Sequence, residues 1–145
     1  MKIPKTSLIT GLVALAFTLG ASAQVNITTW QANPQHTGAN TSETTLTPAN
    51  APTITQRFSS NDMDGQIYTQ PLVVSNLNFS GTLKNVVYVA TERGLVYAID
   101  GENAGPFIWS KSLIPAGAVF VPQTEVNSGD ISDALSLTST PVIDA

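Results

Sequence analysis

The chain has 145 residues, a formal net charge of −4, 42% apolar and 11% charged residues, and no cysteine. The missing cysteine excludes a disulfide-stapled mini-protein, a Cys-ligated zinc or iron–sulfur centre, a covalently attached c-type haem and a lipid-modified N-terminal Cys. So low a charged fraction beside that apolar content excludes a disordered acidic tail, and the acidic balance disfavours nucleic acid, whose binders concentrate Lys and Arg.

Residues 1–23 read as a secretory signal, with Lys2 and Lys5 in a basic start, an uncharged apolar run from Leu8 to Leu19, and Ala21-Ser22-Ala23 as an A-x-A cleavage site. The run is shorter than the roughly 20 apolar residues that span a bilayer and ends in small residues. Cleavage after Ala23 leaves 122 of the 145 residues and removes two of the six basic side chains, so the mature charge is −6. The expected product is periplasmic or secreted, with no membrane contact after cleavage.

Residues 24–64 are rich in Asn, Thr, Pro and Ala, with Trp30, Leu46 and Ile54 as the apolar anchors. Pro34, Pro48 and Pro52 argue against a long helix, so an extended lead-in segment with at most one short strand is expected. Three sequons, at Asn26, Asn40 and Asn78, matter only for a eukaryotic source.

Gly65 to Val74 reads as a strand with Pro71 inside it, which suits a strand start or an edge. A polar loop over Ser75 to Lys84 is expected next. Val86 to Ala90 and Leu95 to Ile99 are β-branched and aromatic runs on either side of Thr91-Glu92-Arg93-Gly94, a hairpin signal. Neither run alternates. Val86, Tyr88 and Ala90 face one side, Val87 and Val89 the other, so both faces want cover. The mature chain has no amphipathic segment long enough for a helical crossover, which leaves an all-β stack of sheets.

A fourth strand is predicted over Phe107 to Leu113, after a turn at Gly101 to Pro106. Residues 114–137 read as a long loop with a short strand at Ala118 to Val121. The segment Ser139-Thr140-Pro141-Val142-Ile143-Asp144 then resembles Thr69-Gln70-Pro71-Leu72-Val73-Val74, and aligning the prolines gives an internal period of 70 residues. Repetition of four-stranded units is one way to cover both faces of every sheet.

The stretch from Gly65 to Leu113 resembles a blade of the pyrroloquinoline-quinone (PQQ)-type β-propeller repeat. That is the fold of quinoprotein alcohol dehydrogenases and of many non-catalytic periplasmic propellers. The family's repeat has an S/Q-x-P opening strand, a VVYV strand, a tight turn, a VYALD-like strand and the signature AxDxxTGxxxW. Ala98, Asp100, Gly105 and Trp109 match its Ala, Asp, Gly and Trp in order. Ala104 stands where the Thr would be, and the stretch from Asp100 to Gly105 is one residue longer, which puts the hydrogen bonding of that turn in doubt. Trp30, GANTSETTLTPAN from Gly38 to Asn50, and DGQIYTQPL from Asp64 to Leu72 also look like the start of bacterial secreted members.

The resemblance implies an all-β, four-stranded antiparallel blade over 65–113 and, over 114–145, a long loop followed by the first strand of the next blade. Pro71, Gly94, Ala98, Asp100, Gly105, Trp109 and Pro141 are its structural motif. Ala98 is small where blades approach, Gly94 and Gly105 permit turns that a Cβ would obstruct, and Trp109 is an apolar plate. A propeller takes about four to eight blades of roughly 40–50 residues. The sequence is therefore expected to be a fragment that exposes Val86, Tyr88, Leu95 and Tyr97 when isolated, its partner being the rest of the propeller or another protein chain.

Other chemistry is weighed against plain structural readings. Asp62, Asp64 and Gly65 resemble the start of a calcium loop, but Gln66 and the missing closing Glu break the pattern, so a solvated turn is expected. Glu125, Asp130 and Asp133 on the long loop read as solvating charges that could line a site. His36, the one histidine, reads as a surface residue rather than a triad member, and Gly-rich phosphate loops are absent. Tyr68, Tyr88, Tyr97 and Trp109 suggest an aromatic sugar-binding surface, although Tyr88 and Tyr97 sit inside apolar runs and read as core.

No catalytic or metal-ligating residue is assigned. The family's PQQ, calcium and adjacent cysteines cannot be carried onto this chain, so no cofactor is expected on it. A non-catalytic binding scaffold is the expected function; the N-terminal part of a PQQ-dependent dehydrogenase and a secreted β-sandwich adhesion module are the alternatives.

Overall fold

The computed structural model describes residues 25–127, 129–131 and 134–144. The signal at 1–23 and Asp133 lie outside the described residues. Four strands form one antiparallel sheet in chain order: β1 (Leu72–Phe79), β2 (Thr82–Ala90), β3 (Leu95–Asp100) and β4 (Trp109–Ser112). A two-stranded ribbon pairs β5 (Val121–Pro122) with β6 (Ala134–Leu135) around the single-turn helix α1 (Gln123–Val126). The chain is all-β, with little helix beyond short 3-10 turns at Trp30–Ala32 and Ala51–Thr53.

Two expected boundaries are corrected. The first strand does not run from Gly65: pairing begins at Leu72, directly after Pro71, which has no N–H to contribute to a ladder. The stretch 75–84 is not a loop but the outer half of a hairpin, with Phe79 opposite Thr82 across Ser80-Gly81. Both turn residues have positive φ, +52° and +88°, the backbone of a two-residue turn that continues the strand twist. Along β1 beyond Val74, Ser75, Leu77 and Phe79 are half-buried while Asn76 and Asn78 are exposed, a period of two hidden beneath a polar composition. The strand slips at Ser75-Asn76, where Asn76 N–H donates to Asn85 Oδ1. The other two expected strands are displaced or shortened, to Trp109–Ser112 and Val121–Pro122.

The central strands are buried on both faces. On one, Leu72, Val86 and Ala98 are wholly enclosed, each large aliphatic contributing about 1.5–3 kcal/mol. On the other, Val89, Tyr97 and Ile99 form a cluster against which Met63, Val87, Leu95 and Phe107 pack. Tyr97 lies 4.6 Å from Phe107 between ring centres, and its hydroxyl accepts from the Asp64 N–H. The expected exposure of Val86 and Tyr97 is thus wrong: they are 0% and 4% exposed, while Tyr88 and Leu95 are half-buried. For Tyr97 the reason is local, since the lead-in segment and the β3–β4 connection bring Met63 and Phe107 over that face. The most exposed apolar side chains among the described residues are Val119 (84%) and Val142 (70%), followed by Leu83 near the start of β2 and Ile54 in the lead-in segment.

Register explains the small residue at 98. Tyr88, Ala98 and Trp109 stand directly opposite one another across β2, β3 and β4. They share one face, and the Tyr88 and Trp109 rings meet 5.8 Å apart between centres. Flanking strands are separated by about two strand spacings, roughly 10 Å, so their rings can touch only by leaning over a small central side chain.

Candidate functional site

Three separate stretches of chain converge where β1 begins and β2 ends. Ile27 forms a two-way backbone bridge with Val73, and the Ile143 N–H donates to Thr28 O. The Gln31 N–H donates to Gln70 Oε1, and the Gln70 N–H donates to Thr140 Oγ1 at 2.9 Å. Gln70 and Thr140 are 70 residues apart, the spacing of the Pro71/Pro141 repeat, so the two motif segments touch through equivalent positions.

Beside this junction lies a cleft of about 340 Å³ lined, among the described residues, by Trp30, Tyr68, Thr138, Ser139 and Thr140. Trp30 is 48% and Tyr68 38% exposed. The indole is braced from one side by His36, edge-on at 5.2 Å, and the Tyr68 hydroxyl donates to Gln66 Oε1 at 3.0 Å. The loop carrying Trp30 holds Gln31, Ala32 and His36 at φ of +55°, +71° and +54°. Such conformations cost non-glycine residues about 1–3 kcal/mol each and persist where their surroundings fix them. Here Gln31 O accepts from the N–H groups of Asn33 and Gly38, and Asn33 Oδ1 accepts from those of Gln35 and Thr37.

The floor of this end is unusual in one respect. Thr69 Oγ1 donates to Ala90 O, and next to it Thr91 and Glu92 are wholly buried in the β2–β3 turn, with the Glu92 N–H donating to Gln66 O. Glu92 lies in the predicted hairpin connection, and tertiary packing encloses it. Gly94 closes the same turn at φ +77° with Ile114 and Ser136 pressed against its Cα, the crowding expected of a motif glycine.

At the opposite end of the sheet the motif aspartate is an anchor. Asp100 accepts from Lys84 Nζ and from the Glu102 N–H, and the lysine holds its carboxyl at about 2, below an ordinary value of 3.8. Glu102 is also lowered, first by Asn85 and then by Arg57. These contacts join β2, β3 and the lead-in segment.

The remaining expected residues divide between structure and surface. Trp109 lies on the exposed edge strand β4, 40% exposed, and Pro71 flanks the junction. Gly105 has neither a positive φ nor any atom within 4 Å of a would-be Cβ, so nothing at this turn requires glycine and the expected constraint is corrected. Asp64 pairs with Arg93 at 3.2 Å, so it serves the turn as an ion-pair partner. Glu125 and Asp130 are exposed, and His36 supports Trp30 from an exposed loop. Among the described residues there is no group of three or more His, Cys, Asp or Glu arranged to hold a metal ion. The cleft brings together two aromatic residues and three consecutive hydroxyl side chains. Sequence reasoning picked out Tyr68 but missed Trp30 and residues 138–140 as its neighbours; the period of 70 was the one available signal. Comparison with family models, curated proteins and solved structures finds no match to this chain.

Proposed function

We propose that this chain is an exported PQQ-like β-propeller repeat protein acting as a non-catalytic binding scaffold, with one blade over 65–113 and, at 139–144, the segment that would become the first strand of the next blade once that blade is present. The contact between Gln70 and Thr140 carries the reading. Radial repetition of four-stranded sheets around a channel sets equivalent positions of successive blades side by side, and these two residues occupy equivalent positions of the repeated segment. The chain-order sheet β1-β2-β3-β4 has the form of a blade. Val119, Val142, Leu83 and Trp109 are among the exposed apolar side chains that further blades, from continuing sequence or another chain, would cover.

Size-exclusion and thermal unfolding of residues 24–145 test this. Self-association or non-cooperative melting is expected, and a compact monomer with one sharp transition overturns the reading. The reading frame beyond codon 145 should encode further AxD…GxxxW motifs. If the longer product binds PQQ with calcium, the dehydrogenase alternative replaces the scaffold.

A further inference from the structure

The cleft beside the repeat junction has properties that the scaffold reading does not use. Among the described residues its lining carries no formal charge: two aromatic residues, Trp30 and Tyr68, line it with three consecutive hydroxyl side chains, Thr138, Ser139 and Thr140. A phosphate or carboxylate ligand would want Lys or Arg, and an organic cation would want a carboxylate; the described lining offers neither. Hydroxyls both donate and accept, which matches a polyol whose own groups do the same. Exposed Trp and Tyr faces match the apolar C–H face of a sugar ring, because each ring pairs a broad apolar surface with a polar handle.

We infer that this cleft binds a neutral saccharide of one or two rings, stacked on Trp30 and Tyr68 and hydrogen-bonded by the hydroxyls of residues 138–140. The volume of about 340 Å³ is at the small end of ligand pockets, which run roughly 300–1,000 Å³. Preorganisation supports the same assignment. Trp30 sits on a loop of three positive-φ residues and against His36, and Tyr68 is held by Gln66, so neither ring must be ordered when ligand arrives. Thr140 accepts from the Gln70 N–H, which fixes one hydroxyl-bearing wall to the start of β1. The inference rests on the scaffold reading, for which it supplies the class of ligand.

The test uses Trp109→Phe, which leaves Trp30 as the sole indole of the mature chain. Maltose, cellobiose and N,N′-diacetylchitobiose are titrated against its fluorescence, with digalacturonate and glucosamine as charged counterparts. A saturable change at millimolar concentration is expected for at least one neutral sugar and none for the charged ones. By calorimetry, Trp30→Ala and Tyr68→Ala should each weaken binding by about tenfold or more. Trp30→Phe should retain most of it, and Thr138→Val should weaken it while leaving the melting temperature in place. Absence of saturation with every neutral sugar, or binding indifferent to both alanine variants, overturns the inference. Tighter binding of a charged counterpart overturns it too. The two readings fail separately: a self-associating chain without sugar binding removes only the ligand, and a compact monomer with Trp30-dependent binding removes only the propeller.

Discussion

At Gly94 an added Cβ would lie 2.5 Å from Ile114 Cδ1 and 2.9 Å from Ser136 Oγ, on a backbone at φ +77°. Gly94→Ala is therefore expected to cost roughly 1–3 kcal/mol, measured by urea denaturation, with both conformation and crowding contributing. Gly105→Ala, with open space and an ordinary φ, should be close to neutral in the same assay. Asp100 supplies the pH dependence. Its carboxyl is lowered to about 2 in the folded protein from an ordinary 3.8, chiefly by Lys84. A lowered folded value means that the stabilisation is fully present above the unfolded value and is lost as pH falls through the folded one. Asp100→Asn should then flatten the loss of stability between about pH 4 and pH 2, read as the urea midpoint across that window. The need for glycine at 94 was legible at this scale because a crowded left-handed turn admits few other residues; the burial of Glu92 was not, because it is decided by distant segments.

The β2–β3 hairpin was legible as an element, since continuous β-branched runs on either side of a turn containing Gly have few alternatives. The β1–β2 hairpin was not. Asn76 and Asn78 on its exposed side, together with the polar Ser75 and Lys84, gave residues 75–84 the composition of a loop, although Leu77 and Phe79 kept the inward half of a two-residue period. Ala98 belongs to this scale because its reason is register: Tyr88 and Trp109 meet over it from the flanking strands. Ala98→Leu would force the rings apart in a fully enclosed position. The expected cost is about 1–3 kcal/mol, with a shift in Trp109 emission as the sheet edge opens. Trp30→Phe as background assigns that emission to Trp109.

Across the whole molecule, the sheet covers its own two faces better than its sequence alone suggests. Val86 and Tyr97 were expected at open blade surfaces, yet they are enclosed within this chain. Among the described residues the most exposed apolar side chains are Val119 and Val142, with Leu83 and Ile54 next. If Val119 and Val142 belong to the contact surface for further blades, Val119→Asp with Val142→Asp should shift residues 24–145 toward monomer on size exclusion. Neither site lies in the described core, so the melting temperature should change little. Unchanged elution would place the association elsewhere.

The sequence by itself determined the all-β class, the central hairpin and the period of 70 that links Pro71 to Pro141. These follow from residue types whose backbone preferences and alternation act over a few neighbours. Only the tertiary structure decided that Gln70 and Thr140 touch, that Glu92 is enclosed, and that Trp30, Tyr68 and residues 138–140 share one cleft. Those outcomes depend on where chain segments tens of residues apart come to rest. No local pattern encodes such contacts, since they form through packing and hydrogen bonds made only once the sheet has assembled.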